Sequence, residues 1–437
     1  MKLPGAVVRT VVQPIRAFVQ TEVTSSVVLL FAAAAALVWV NSPWDSSYRD
    51  VFEHVISIDA GLFTIDLDVR HWINDALMTP FFFVVGLEIK REVLRGELAG
   101  HDRVLLPVFA ALGGMVMSGL IYASLNAGGD GAHGWGIPMA TDLAFALGVL
   151  ALLGPRISSS LRVFLLAMAI VDDMLSILVI VFFYSGSVDF VWLGAAAAII
   201  VLTYSMRLVG VRAIVAYVPA GVCLWIAVFE SGVSTTLVGV SLALLTPLHE
   251  HYGWGALRGN LSTISKLFHG SERREADIAS QRGSESEGES PLERLERLVH
   301  PYTSLVVVPV FALANAGLSL NSHTLSDSLS SAPALGIVLG RLIGKPLGVL
   351  ALSWIAVRCG LATLPRATRW PEILGVGMLG GVGFTVALYV NERAFDDPLL
   401  TDEGKLGILA GSLFSGLVGL VTLWLLTSRD RGPVTER

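Results

Sequence analysis

Charge is scarce in this chain. Asp, Glu, Lys and Arg supply 15% of its 437 residues, against roughly 25% in an ordinary soluble domain. A soluble protein of this length would need far more charge to cover its surface. Basic residues are not in excess either: 30 Lys and Arg face 36 Asp and Glu, a formal charge of −6. Nucleic acid is thereby excluded as a partner, because nothing is available to neutralise its phosphates. Cysteine is nearly absent. Cys223 and Cys359 are far apart, in or beside apolar runs, so there is no disulfide framework and no zinc spacing. Apolar residues are abundant, at 54% of the chain, with a mean hydropathy of +0.68. A polytopic membrane protein is the class that remains.

A helix needs about 20 apolar residues to cross the hydrocarbon core. Twelve such runs centre on 24–41, 72–94, 104–126, 136–153, 160–184, 190–206, 213–229, 232–248, 301–320, 332–357, 371–392 and 405–427. The fourth and eleventh are weak. The Lys/Arg bias of short loops sets the orientation. With both ends of the chain in the cytoplasm, only Arg49, Arg70, Arg393 and Lys405 fall in external loops. Arg341 and Lys345 lie inside the tenth run, and every other Lys and Arg is cytoplasmic. The chain then divides into a cytoplasmic N-terminal segment (1–23), spans 1–8 (24–248), a cytoplasmic loop (249–299), spans 9–12 (300–427) and a cytoplasmic tail (428–437). Lys2, Arg9 and Arg16 ahead of an apolar run also fit a secretory signal peptide, but its removal would spoil the even span count.

Two stretches outside the runs carry their own pattern. Phe63, Ile65, Leu67 and Val69 alternate with Thr64, Asp66 and Asp68, and Asp59-Ala60-Gly61 is turn-like. This predicts an external β-hairpin over 55–69. Residues 270–291 read GSERREADIASQRGSESEGESP, which predicts a disordered cytoplasmic insertion. A short amphipathic helix is expected ahead of it, near 254–268.

Besides Arg341, the ionisable groups that stand deep inside the spans are Asp142, the adjacent Asp172 and Asp173, and Lys345. Each costs roughly 2.5–3.5 kcal/mol on insertion scales. A structural salt bridge accounts for one acid and Lys345, and leaves surplus carboxylate. Adjacent residues on a helix project about 100° apart, so the two Asp need not face one partner. A buried carboxylate without a countercharge either holds a proton or binds a hard cation through oxygen. A site that does either, but not both at once, exchanges protons for cations.

The backbone around these groups supports that chemistry. The fourth run reads GWGIPMATDLAFALGVLALLG, with Pro138 beside Thr141 and Asp142. The eleventh reads GVGMLGGVGFTVALYV, with Gly375, Gly377, Gly380, Gly381 and Gly383. Such glycine weakens a helix by up to about 1 kcal/mol per residue, although close packing of small residues is an alternative use. Unwound backbone at mid-membrane is tolerated only inside protein or around a water cavity. Two interrupted spans in matching places fit spans 3–5 and 10–12 as inverted repeats. Broken helix ends expose partial charges of both signs, and Asp142 and Lys345 are available to offset them.

The strings WINDALM (72–78), VGLEIKRE (85–92), ATDLAFALGVLALLG (140–154), AMAIVDD (167–173), FALANAG (311–317), LIGKPLG (342–348) and GGVGFT (380–385) resemble, in order, the NhaA family of sodium/proton antiporters. The resemblance covers most of the chain from about 20 to 427. It implies an all-α polytopic membrane protein with about 12 transmembrane helices, inverted repeats, broken spans 4 and 11 and an external hairpin. The activity implied is electrogenic antiport of Na+ or Li+ against H+, for pH and sodium homeostasis in the bacterial inner membrane. It is a transporter and not an enzyme, with no cofactor. Asp172 and Asp173 match the cation- and proton-binding pair, and Lys345 the lysine that pairs with Asp172. Thr141 and Asp142 match the crossing of the broken helices, and Asp75 an acid at the start of span 2. Glu88, Lys90, Arg91 and Glu92, with Glu296 and His300, match the pH-sensing cluster. The hairpin matches the element that joins two protomers in a homodimer.

Departures fall mainly on the cytoplasmic side. Glu293 and Arg297 stand where Lys and His are often found, and the insertion lengthens the loop. Ser234 and Thr235, read as mid-span 8, replace a common His. These bear on the pH of activation. Other functions fit less well. An intramembrane aspartyl protease needs two facing acids that share a proton, but no GxGD string occurs and Lys345 would trap one acid. A passive cation channel needs weak, multiple sites along a pore, and few polar residues line these runs.

Overall fold

The computed structural model describes residues 13–59, 61, 64–96, 101–209, 214–247, 291–319, 328–365 and 368–429. The amphipathic segment expected at 254–268 and the insertion up to residue 290 lie outside them. The described part begins with α1 (Gln13–Val40), which bends by 117° into the short α2 (Asp45–Phe52). Strands β1 (Val55–Asp59) and β2 (Thr64–Asp68) follow. Then come α3 (Val69–Arg95), α4 (His101–Asn126), α5 (Leu143–Leu152), α6 (Ser159–Phe183), α7 (Phe190–Leu208), α8 (Ile214–Glu230) and α9 (Thr236–Leu245). The second part holds α10 (Leu292–Asn315), α11 (Ala332–Arg358), α12 (Trp370–Gly380), α13 (Thr385–Ala394) and α14 (Pro398–Arg429).

Among the described residues, seven helices are long and apolar enough to cross a membrane: α3, α4, α6, α7, α10, α11 and α14. They become nine if the bent pairs α1–α2 and α12–α13 each form one span, and α5, α8 and α9 are shorter apolar helices. Each of the twelve apolar runs thus holds a helix or a broken helix. The protein is a multi-pass membrane protein.

Three long helices contain a π turn, at Ile73–Leu77, Thr303–Val307 and Gly340–Gly344. Each turn includes the carbonyl four residues before a proline: Pro80, Pro309 and Pro346. Proline has no N–H for that carbonyl and its ring crowds it, so the helix widens there. Asp75 and Arg341 sit in two of these turns.

The weak runs are the interrupted ones. The fourth is preceded by a glycine-rich 3₁₀ stretch (Asp130–Gly136), turns over 137–139 and is non-helical over 140–142, with Asp142 extended, before α5 begins. In the eleventh, α12 and α13 meet at 53° around residues 381–384. The first interruption lies between α4 and α6, the second between α11 and α14, which suits a repeated unit. One core gathers Phe82, Ile137, Phe311 and Tyr389, and another Leu165, Val349 and Leu379. Helix α6 gives Ile170 to the first and Met168 and Val171 to the second, so Asp172 follows directly on their seam.

The hairpin is antiparallel, in register from Val55 against Asp68 to Asp59 against Thr64. Gly61 turns it with φ 73°, and its N–H donates to the Asp59 carboxylate at 2.8 Å. Only glycine takes that conformation without strain. Every residue of β1 is exposed, including Val55, Ile56 and Ile58.

Three sequence expectations are displaced. The helix that enters the ninth run already begins at Pro291, inside the segment read as loop to 299. Proline suits a first helical turn, and the buried Leu292 and Glu296 give the segment an inner face. Ser234 and Thr235 lie in the turn ahead of α9, not in mid-span. Arg393 and Lys405 are helical, in α13 and α14, and ion-paired with Asp75 and Glu392, so their charges are satisfied without a loop.

Candidate ion site at the crossed breaks

The two interruptions are bonded to each other. Asp142 N–H donates to Val382 O at 2.8 Å. The approach is so close that a Cβ at Gly383 would overlap the Ala140 carbonyl, which explains one glycine of the GGVGFT string. The Asp142 carboxylate caps α5, accepting from Phe145 N–H at 3.3 Å. Its other oxygen accepts from Thr385 N–H at 3.3 Å and Thr385 Oγ1 at 2.9 Å, at the start of α13. One carboxylate therefore meets two helix N-termini, whose partial charges are positive.

Carbonyls at the breaks meet cations. Lys345 Nζ donates to Met139 O at 2.5 Å. Arg341, one turn earlier on α11, donates to Ile137 O at 3.3 Å, to Ser412 Oγ at 2.6 Å and to Gly383 O. Asp142 thus lies between two helix N-termini, and Lys345 and Arg341 both meet carbonyls at the breaks.

Asp172 and Lys345 form an ion pair at 2.8 Å, with both side chains fully buried. Thr141 Oγ1 lies 2.6 Å from the same Asp172 oxygen and 2.7 Å from Gly380 O. A hydroxyl has one proton, so it serves one of these at a time. The other Asp172 oxygen, Oδ1, is buried and has no hydrogen-bond partner among the described residues. Asp173 is half-buried and points elsewhere, as helix geometry requires. It lines a cavity of about 90 Å³ with Thr141, Asp142, Thr385, Glu88 and His300, large enough for several waters. The adjacent carboxylates therefore have different surroundings: one is ion-paired and dry, the other faces the cavity.

The charged residues of α3 and α10 do meet, at the Glu88 end of this cavity. Glu88 Oε1 lies 3.6 Å from His300 Nε2. Arg91 is ion-paired with Glu296, and with Glu92 at 3.2 Å, while Arg95 reaches Glu293 at 3.5 Å. Lys90 turns away and holds the carbonyls of Leu244 and Thr246 at the end of α9. Asp75 stands apart from the crossing. It is buried, ion-paired with Arg393, and accepts from Thr235 Oγ1 at 3.0 Å.

Sequence reasoning passed over Arg341, Thr385, Arg393 and Ser412 at these contacts. A signal was present for two of them. Arg341 lies four residues before Lys345, on the same helix face, and Thr385 ends the GGVGFT string.

The chain matches the family described as Na+/H+ antiporter 1 over residues 16–423. It is 44% identical to a Na+/H+ antiporter NhaA of Rhodospirillum rubrum over 430 residues, 97% of this chain and 99% of that one. It is 42% identical to a Na+/H+ antiporter NhaA 2 of Sorangium cellulosum over 419 residues, 94% and 90% of the two chains. A NhaA antiporter of Wolinella succinogenes is 40% identical over 412 residues, 92% and 91%. Likeness that runs from the first span to the last is more than a shared motif: the chain belongs to the NhaA family of Na+/H+ antiporters.

Proposed function

We propose that the chain exports Na+ or Li+ in exchange for inward H+ across the bacterial plasma membrane, moving net charge in each cycle. The observation that carries this is the split pair of carboxylates. Asp172 is ion-paired with Lys345, and Asp173 faces the cavity. A cation arriving through the cavity binds oxygens of Asp173, Asp172 and Thr141. It competes with Lys345 for Asp172, and protons leave as it binds. On the other side, protons return and expel the cation. Asp142 stays committed to two helix N-termini, so it balances charge more than it binds. Each inward proton supplies about 1.4 kcal/mol per pH unit, and each net inward charge about 2.3 kcal/mol per 100 mV. The test is proteoliposomes with an imposed Na+ gradient, scanned from roughly pH 6 to 9, around the ordinary titration of histidine. Proton counterflow with Na+ or Li+ is expected. Na+ flux without counterflow would identify a channel instead.

The α3–α10 cluster suits control by pH. The ionic contact of His300 with Glu88 exists while the imidazole is charged and is lost as pH rises through its titration. Loss of that contact frees the Glu88 end of the cavity, so activity rises with pH. Glu88 faces His300 directly, the charge of Glu296 acts on it from the same helix, and Asp142 and Asp173 line the same cavity. Arg297 lies three residues before His300 on α10, where a second imidazole would add a titrating group. His300→Ala should therefore flatten the pH–activity curve, and Arg297→His should steepen it. If both curves overlaid the wild type, the cluster would not be the sensor.

The exposed β1 strand suits pairing with a second copy of the hairpin in a two-fold dimer, since an open strand edge accepts another strand. Helix α7, whose apolar window is only 11% buried, suits contact with lipid. Deletion of 55–68 should give monomers in detergent with exchange retained. A deletion variant that still ran as a dimer would reject the hairpin's role.

A further inference from the structure

We propose that Arg341 is a positioning residue of the exchange reaction: it clamps the two broken spans at a fixed separation through every loading state, and so sets the cation affinity of the Asp172–Asp173 site. The inference rests on the exchange function above. Arg341 is the largest fully buried side chain, yet no carboxylate is within ion-pairing distance of it among the described residues. Its guanidinium donates instead to carbonyls of three segments: Ile137 before the first break, Gly383 in the second, and, at 3.4 Å, Ile408 on α14. Ser412 on α14 completes the grip: its hydroxyl lies 2.6 Å from Arg341 and 2.7 Å from Gly383 O.

The slot is built for this side chain. A Cβ at Gly411 would come within 3.1 Å of Arg341 Cδ, so the neighbouring helix leaves room for the stem. Burial of a charged group costs several kcal/mol, and an apolar residue often fills such a place with equal stability. What an apolar residue cannot do is bridge two chain segments with a planar fork.

The position also separates two tasks. Arg341 and Lys345 are one helical turn apart and share the carbonyls of the crossing, Ile137 and Gly383 for one and Met139 for the other. Lys345 is also bound to Asp172 and must let go when a cation arrives. Arginine keeps its charge at any physiological pH. With Arg341 in place, the negative helix ends remain compensated while Lys345 moves. Thr141, four residues from Ile137, then keeps its oxygen beside Asp172.

The experiment measures KM for Na+ and Li+, kcat, and melting temperature, on full-length protein reconstituted in vesicles. Wild type, Arg341→Met, Arg341→Lys and Ser412→Ala are compared. The wild-type KM measured alongside reports on the exchange function itself. Arg341→Met should raise KM for both cations roughly tenfold, the loss of about one charged hydrogen bond. Arg341→Lys keeps the charge but has one nitrogen, which cannot span both segments. It should raise KM by about threefold or more with a near-normal melting temperature. Ser412→Ala should raise KM in the same direction by less. If KM stayed at the wild-type value in Arg341→Lys and Ser412→Ala, with only melting temperature lowered in any variant, Arg341 would be structural alone and the proposal would fall. That comparison decides even if Arg341→Met fails to fold.

Discussion

Asp173→Asn should reduce sodium/proton exchange to background while the protein inserts, folds and melts as the wild type does. Asn keeps the shape of the side chain, but it carries neither the charge that binds Na+ nor the proton that returns. Asp173 lines the cavity and makes no ion pair among the described residues, so its loss leaves no buried partner uncompensated. Asp172→Asn should lose exchange equally and also lose stability. Its partner Lys345 is fully buried at 2.8 Å, and removal of one member of a buried pair costs about 3–5 kcal/mol because the other is left uncompensated. The two variants therefore share an activity phenotype and differ in melting temperature. Exchange in reconstituted vesicles and thermal unfolding in detergent, measured on the same preparations, check both. Normal exchange by either variant would remove that residue from the site.

The second large effect is expected at Lys345. Gln in its place still donates to Met139 O but leaves Asp172 without a countercharge in a dry site. Stability should fall by about 3–5 kcal/mol at pH values where Asp172 is ionised, and less where a proton neutralises it. If Lys345 also gives up a proton when the cation displaces it, the variant moves one proton fewer per Na+. Exchange should then become electroneutral. An imposed potential, worth about 2.3 kcal/mol per charge per 100 mV, would no longer drive it. Unchanged stability together with unchanged voltage dependence would show that the pair seen here plays no part in the cycle.

The twelve apolar runs and their two weak members were legible because burial in lipid imposes a strong, local compositional signal. The split of Asp172 and Asp173 followed from the angular step of a helix alone. Asp142 between two N-termini was legible from the sign of the helix dipole. Other contacts were not local. Arg341 finds its acceptors at Ile137, Gly383, Ile408 and Ser412, on three other segments, and three of the acceptors are main-chain carbonyls that have no side-chain signature. Arg393 read as a loop cation because its partner Asp75 lies 318 residues away in sequence. The helix starting at Pro291 was hidden by charge: Glu293, Arg294, Glu296 and Arg297 dilute the apolar face of Leu292 and Leu295. The junction of α3 with α10 through Arg91 and Glu296 could be posed from sequence as a question about two charged clusters, but only their packing brings them together.

The central claim is that one pair of carboxylates holds either the cation or its protons. The most direct measurement adds Na+ to purified, weakly buffered protein in detergent and records the pH. The account predicts a saturable release of protons with Na+ and with Li+, none with K+, and none from Asp173→Asn. Saturable Na+ binding with no proton release from the wild type would contradict it, since cation and proton would then occupy separate sites.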